Sequence, residues 1–283
     1  MGFNDDRYQL PGNTGQDIRK MYIFLAALFG SFALLGILII IFAHSLVKYI
    51  PFSAEERFIK PYERLFLENL DDRSESETTI QSYLETLVQK LSTSEHLSGQ
   101  VTFKIHYSDS HVQNAFATLG GHITVFRGLM NSVDSENGLA MIIAHEMAHI
   151  DNRDPATGMG RALIISMMLT SISGGHSENI SDFLSNVGFS QFSQKQEQDA
   201  DKLALHILYD YYGHVGGQDE FFRKMKDAET ESTNIPVWLS SHPDMEKRIT
   251  YLKEESADKG YPAGEIVALP DEIQEALSKN TLF

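Results

Sequence analysis

The 283-residue chain is 42% hydrophobic, enough to bury a core, and carries 39 acidic against 23 basic side chains for a formal net charge of −16. That balance argues against a nucleic-acid-binding surface, which calls for basic patches, and says little about a substrate. With no cysteine there is neither a disulfide framework nor a thiolate metal site.

Residues 1–20 read as a polar tail with Pro11, Gly12 and Gly15, ending on Arg19-Lys20. Met21 to Ala43 then runs without a charge, long enough for the ~20 residues a bilayer-crossing helix needs. A cleaved leader has a shorter apolar stretch of ~7–15 residues, and Ala43-His44-Ser45 is a weak cleavage site, so a retained anchor is expected. Arg19 and Lys20 abut the span while the nearest following charge is Lys48. This leans toward an inside N-terminus with the rest of the chain outside, which in a bacterium is the periplasmic side of the inner membrane.

Residues 44–100 read as a helical stalk. Ser53-Ala-Glu-Glu56 and Ser74-x-x-Glu77 are capping-box patterns opening two helices. The second continues with Ile80, Tyr83, Leu84, Leu87, Val88 and Leu91 at helical spacing, a face for packing on the domain that follows. Val101 to Tyr107 alternates apolar and polar as a half-buried strand; Asn114 to Ala117 is a short second one, Gly120-Gly121 a turn, and His122 to Phe126 a third. His106, His111 and His122 read as surface or packing residues.

The next helix is apolar nearly all round from Leu139 to Ile150, which marks it as buried. Ser132 or Asp134 can cap it, and Asp154-Pro155 stops it. Within it stands His145-Glu146-x-x-His149. Residues at i and i+4 share a helical face, so both imidazoles can reach one metal ion and the Glu146 carboxylate a water on that ion. Burying two His and a Glu is costly without a partner or a metal. This pattern supplies two zinc ligands and a general base. A third ligand is needed. Glu197 and Asp201, also four apart, share one face of a later helix whose apolar positions are Ala200, Leu203, Ala204, Ile207 and Leu208. Glu197 can complete the site, and Asp201 can accept the free ring N–H of a ligand His. Either carboxylate could instead lie on a solvated face.

Between these helices, residues 162–172 form an apolar run too short to span a membrane, either a core helix or a membrane-facing or lid element. His176 could reach the metal as an inhibitory ligand, and residues 177–196 suggest a mobile lid. Further on, Phe221, Phe222 and Trp238 suggest packing elements, and residues 261–283, with Pro262 and Pro270, a peripheral extension.

His-Glu-x-x-His followed by Glu197-x-x-Ala-Asp201, together with the segments Asn114–Leu129 and Ser241-His-Pro-Asp-Met-Glu-Lys-Arg-Ile249, resembles the membrane-associated zinc metallopeptidase family 48. That family includes the CAAX prenyl protease, the HtpX proteases and single-anchor periplasmic or mitochondrial quality-control relatives. The resemblance covers about Val101 to Leu252. It implies an α+β fold: a mainly helical zincin (gluzincin-like) catalytic domain over 101–260 with a small β-sheet, here behind one transmembrane helix over 21–43. It implies one Zn²⁺ per chain on His145, His149 and Glu197, with Glu146 as catalytic base and His242 or Arg248 at the oxyanion. The alternative for the last two is a structural turn and an ion pair with an acidic neighbour. It places Asn114 and Ala115 beside the cleft on substrate backbone, or else as ordinary core strand. Its substrates would be polypeptides, above all misfolded envelope or membrane proteins, and a single span departs from the several spans of the CAAX and HtpX types. The competing expectation is a membrane-tethered chaperone or adaptor with a non-catalytic zinc site.

Overall fold

The computed structural model describes residues 14–47, 49–61, 73–160, 192–231 and 237–279. The expected apolar run 162–172, His176 and most of the expected lid, residues 177–191, lie outside them. The chain divides into two units, Met1–Ala43 with Gly160–Ser177, and His44–Met159 with Glu178–Phe283.

Helix α1, Thr14–Val47, provides most of the described part of the first unit and encloses the expected span. Among the described residues it is the one helix long and apolar enough to cross a membrane. Its large side chains, Phe24, Phe29, Leu34 and Ile41 among them, are exposed. In water that exposure would be unfavourable; lipid is the solvent that suits it.

The second unit is α+β, mostly helical with one small sheet. Helix α2, Phe52–Ile59, begins one residue before the expected cap: Pro51 is its N-cap and no side chain caps it. Helix α3, Glu75–Leu91, has the expected capping box, with Ser74 and Glu77 each accepting from the other's backbone N–H. It buries Ile80, Leu84, Leu87, Val88 and Leu91. Strands β1 (Lys104–Ser108), β2 (Ala115–Ala117) and β3 (His122–Phe126) form a mixed sheet in the order β1-β3-β2, with β1 parallel and β2 antiparallel to β3. The first strand starts three residues later than its alternation suggests. The Gly120-Gly121 turn is required: both have positive φ (74° and 84°), and a Cβ on Gly121 would meet the Thr102 carbonyl oxygen. His106 and His122 are buried and hydrogen-bonded to each other at 2.8 Å.

A one-turn helix α4 (Arg127–Met130) leads to α5 (Glu136–Asp151), whose residues from Asn137 to Ile150 are all buried. Neither Ser132 nor Asp134 caps α5. Ser135 does, accepting from the Gly138 N–H at 2.9 Å. The Glu220 carboxylate decides this by accepting from the Asp134 N–H and the Ser135 hydroxyl. Helix α6 (Gln194–Tyr212) packs on α5 through Ala200, Ala204, Leu205, Ile207 and Leu208. Then come α7 (Glu220–Glu231), α8 (Val237–Ser241), α9 (Met245–Lys259) and α10 (Asp271–Lys279).

The segment expected as a peripheral extension is woven into this core. Val267 accepts from the Glu136 N–H and donates to Asn137 Oδ1. Ile273, Ala276 and Leu277 of α10 are buried, and α10 lies against α3. Arg127, fully buried, pairs with Asp109 and donates to the Leu277 carbonyl at 2.8 Å.

Candidate metal centre

Helix α5 presents His145, Glu146 and His149; α6 presents Glu197 and Asp201; α8 brings Trp238, the residue after it His242, and α9 Arg248. All eight are buried. Donor atoms bound at 2.0–2.1 Å to one tetrahedral ion stand roughly 3.3–3.4 Å apart. Here His145 Nε2 lies 3.0 Å from His149 Nε2 and 3.4 Å from Glu197 Oε2, and His149 Nε2 lies 3.4 Å from Glu197 Oε1. His242 Nδ1 is close to the same point, 3.2 Å from His145 Nε2 and 3.0 Å from Glu197 Oε1. These four side chains could hold one metal ion. The three expected ligands converge. The expected oxyanion residue His242 stands with them as a possible fourth donor.

Glu146 is beside this cluster and outside it. Its Oε1 is 3.4 Å from the Trp238 indole nitrogen and 3.5 Å from His242 Nε2, while Oε2 is buried with no hydrogen-bond partner among the described residues. A buried carboxylate oxygen left bare is costly. It suits a site that receives a further proton-bearing group, as a metal-bound water would be.

The two His of α5 each point Nε2 at the cluster and Nδ1 at a carboxylate. His145 Nδ1 is 3.0 Å from Asp201 Oδ1, and His149 Nδ1 is 2.8 Å from Asp154 Oδ2. Such a partner selects the tautomer and orients the ring. Arg248 grips Asp201 through Nε at 2.9 Å and Nη2 at 2.6 Å, and lies 2.8 Å from Glu197 Oε2 through Nη1. Its guanidinium is 4.4 Å from the Phe222 ring centroid and 5.0 Å from that of Trp238. Of the two readings of Arg248, the structure displays the ion pair. Trp238 also stacks on His242, 4.4 Å between centroids, and Phe192 stacks on His149 at 4.0 Å.

These contacts shape the protonation of the ion-free site. Burial alone would lift Glu197, but His242 and Arg248 hold it well below the usual carboxylate range. Asp201 is likewise lowered against its burial by Arg248 and His145. Burial pulls His242 down despite Glu197 and Glu146. For His149 the carboxylates of Asp154 and Glu197 overcome burial and raise it to about 10.

Asn114 and Ala115 are buried at the start of the edge strand β2. Asn114 Oδ1 has no hydrogen-bond partner among the described residues. Next to them the Trp238 backbone N–H donates to the Gln113 carbonyl at 3.3 Å, joining this strand's entry to α8. Sequence reading missed Asp154 and the part Trp238 takes. A carboxylate just past the turn that ends the helix was the signal for the first; nothing in the sequence signalled the second.

A family model described as Peptidase family M48 matches residues 78–256, more than half of the chain. The mitochondrial metalloendopeptidase OMA1 of Schizosaccharomyces pombe is 30% identical over 159 residues, covering 55% of this chain and 47% of that protein. The human mitochondrial metalloendopeptidase OMA1 is 29% identical over 169 residues, covering 54% and 32%. The beta-barrel assembly-enhancing protease of Escherichia coli K12 is 26% identical over 180 residues, covering 59% and 37%. The chain therefore spans about a third to a half of the length of these relatives.

Proposed function

The chain belongs to peptidase family M48, and on that premise we propose that it is a membrane-anchored zinc metalloendopeptidase. The carrying observation is the convergence of His145, His149 and Glu197 on one point with the bare Glu146 oxygen alongside. Two imidazoles and a carboxylate favour zinc over harder-ligated ions. One ion per chain matches the one such group found among the described residues. Bound there, zinc supplies a water whose pKa falls toward ~7 and polarises the scissile carbonyl.

The chain's own residues do the rest. Glu146 takes the water proton and returns it to the leaving amine. Asp201 and Asp154 keep His145 and His149 in the ligating tautomer. Arg248, with Nε and Nη2 on Asp201 and Nη1 on Glu197, positions those carboxylates rather than touching substrate. His242 would serve the oxyanion. An extended polypeptide pairs along the β2 edge at Asn114 and Ala115. We assign the domain to residues 101–260, with 21–43 as its anchor, and the substrates to misfolded envelope or membrane proteins. The names of the relatives, a mitochondrial metalloendopeptidase and a beta-barrel assembly-enhancing protease, support polypeptide substrates; the periplasmic side rests on Arg19 and Lys20 abutting the span.

One observation favours a second reading, a tethered chaperone with a structural zinc: four protein donors close a site, as structural zinc sites are closed. The intact Glu146 counts for the enzyme. Metal content and casein cleavage of the full chain and of Glu146→Gln decide between them. The enzyme reading expects metal in both and a roughly 10²–10⁴-fold loss of turnover in the variant. Processing that survives the substitution sinks it.

A further inference from the structure

Arg153 follows the end of α5 in the left-handed region (φ 65°), an uncommon conformation for a residue with a side chain. Its contacts explain why it is held there. Its Nε donates to Glu55 Oε1 at 2.8 Å, its Nη2 lies 2.6 Å from the same oxygen and donates to the Ile50 carbonyl at 3.0 Å, and the guanidinium is 5.7 Å from the Phe52 ring centroid. All three partners lie in the short stretch that follows α1. Glu55 is 7% exposed, so this charge pair is shielded from water and salt. The residue after Arg153 is Asp154, the partner of His149 Nδ1. The stretch behind the anchor is therefore latched to the helix that carries the candidate metal ligands.

Helix α2 has two faces. Phe52, Glu55 and Ile59 turn inward, against the Gly120-Gly121 turn, where a Cβ on Gly120 would come within 2.7 Å of Ile59 Cγ2. Arg57, Phe58 and Lys60 turn outward, preceded by Tyr49 (84% exposed) and Ile50 (46%). The acid on this side, Glu56, is 4.0 Å from Lys104 Nζ. Aromatic, aliphatic and basic side chains exposed together are the composition of a membrane interface, here in a chain of net charge −16. Four residues separate Val47 from Phe52, a reach of at most roughly 17 Å. The polar layer on each side of the hydrocarbon is itself roughly 5–8 Å deep. If α1 crosses a bilayer, that reach lets α2 meet its surface.

We propose that the outer face of α2 docks on anionic lipid headgroups and that Arg153 latches this docked helix to the end of α5. The metal-related half rests on the zinc reading above; the docking half rests only on α1 as the span. The latch makes the metal ligands' orientation depend on how the juxtamembrane stretch is seated.

The chain has no cysteine, so a nitroxide can be placed at one site in the 283-residue chain. Ser53→Cys puts it on exposed α2 at a side chain that does not cap the helix, and Thr86→Cys, exposed on α3, is the reference. In nanodiscs of phosphatidylcholine with phosphatidylglycerol, the label at 53 should collide more with oxygen and less with an aqueous nickel chelate than the label at 86. Arg57→Gln with Lys60→Gln, or phosphatidylcholine alone, should shrink that difference. Equal water access at both sites overturns the docking, and no response to charge overturns the anionic preference. For the latch, Arg153→Gln and, separately, the isosteric Glu55→Gln should mobilise the label at 53 and speed metal loss to a chelator roughly tenfold, the scale of losing a ligand's outer partner. An unchanged line shape in both variants overturns the latch, and unchanged metal loss with a mobilised label overturns its link to the metal helix. A wild-type protein that holds no metal refutes the zinc reading and with it that link, and leaves docking and latch to be judged by the nitroxide.

Discussion

His145 and His149 stand one turn apart on the same helix, yet their outer partners come from different parts of the chain. His149 is held by Asp154, five residues on, just past the turn that ends its own helix. His145 is held by Asp201 from α6, itself gripped by Arg248 from α9. One ring is thus oriented by a carboxylate close in sequence, which Gln196 of α6 steadies at 2.7 Å, the other by three helices packing correctly. The His145 side is the more cooperative half of the site, and damage there should reach further.

The largest effect expected is at Arg248. Its removal as Arg248→Ala leaves the Asp201 and Glu197 carboxylates buried without their cation, which costs about 3–5 kcal/mol. A fall of that size in the urea stability of the metal-free protein would show it; a change within the noise of a surface substitution would break the comparison.

Next are the two partner carboxylates. Asp201→Asn and Asp154→Asn should each weaken zinc binding roughly 10–100-fold, measured by competition with a chelator. Asp201→Asn should sit at the upper end because it also leaves Arg248 short of its anion. Equal losses would mean that the extra helices add nothing to the hold on His145.

The proton content of the His149 side supplies a third test. Burial would lower this imidazole, but Asp154 and Glu197 raise it to about 10 in the ion-free protein, above the ordinary value near ~6.5. The stability this lends is fully present below that ordinary value and is lost as pH rises through about 10. Metal binding needs the neutral ring, so affinity should rise with pH across the same window, with proton release at neutral pH. Calorimetry in buffers of different ionisation heat measures that release, and Asp154→Asn should diminish it. Proton release unaffected by that substitution would remove His149 as its source.

The smallest effect expected is at Trp238→Phe, which keeps a ring on His242 but loses the N–H that stands 3.4 Å from Glu146. A net hydrogen bond of about 0.5–1.5 kcal/mol corresponds to a loss of roughly two- to tenfold in kcat, with KM and metal content unchanged. Loss of metal instead would make Trp238 a packing residue of the ligand set.

Much of this was legible in the residues themselves. A period of four put His145 and His149, and again Glu197 and Asp201, on single helix faces. The box at Ser74 and Glu77 started a helix where it stood, and the Gly120-Gly121 turn located the start of β3 to the residue. These signals are carried within one element, where backbone geometry alone sorts side chains onto faces. Tertiary structure decided the rest. Ser135 caps α5 because Glu220, far along the chain, holds the turn before it. Trp238 reaches Glu146 because α8 is hydrogen-bonded to the entry of β2. His242 enters the ligand cluster, Arg248 turns to Asp201, residues 261–279 join the core, and Arg153 finds Glu55, all through contacts between elements distant in sequence. A helical period says which face a residue occupies; only the closing of the chain around a packed core says what that face meets.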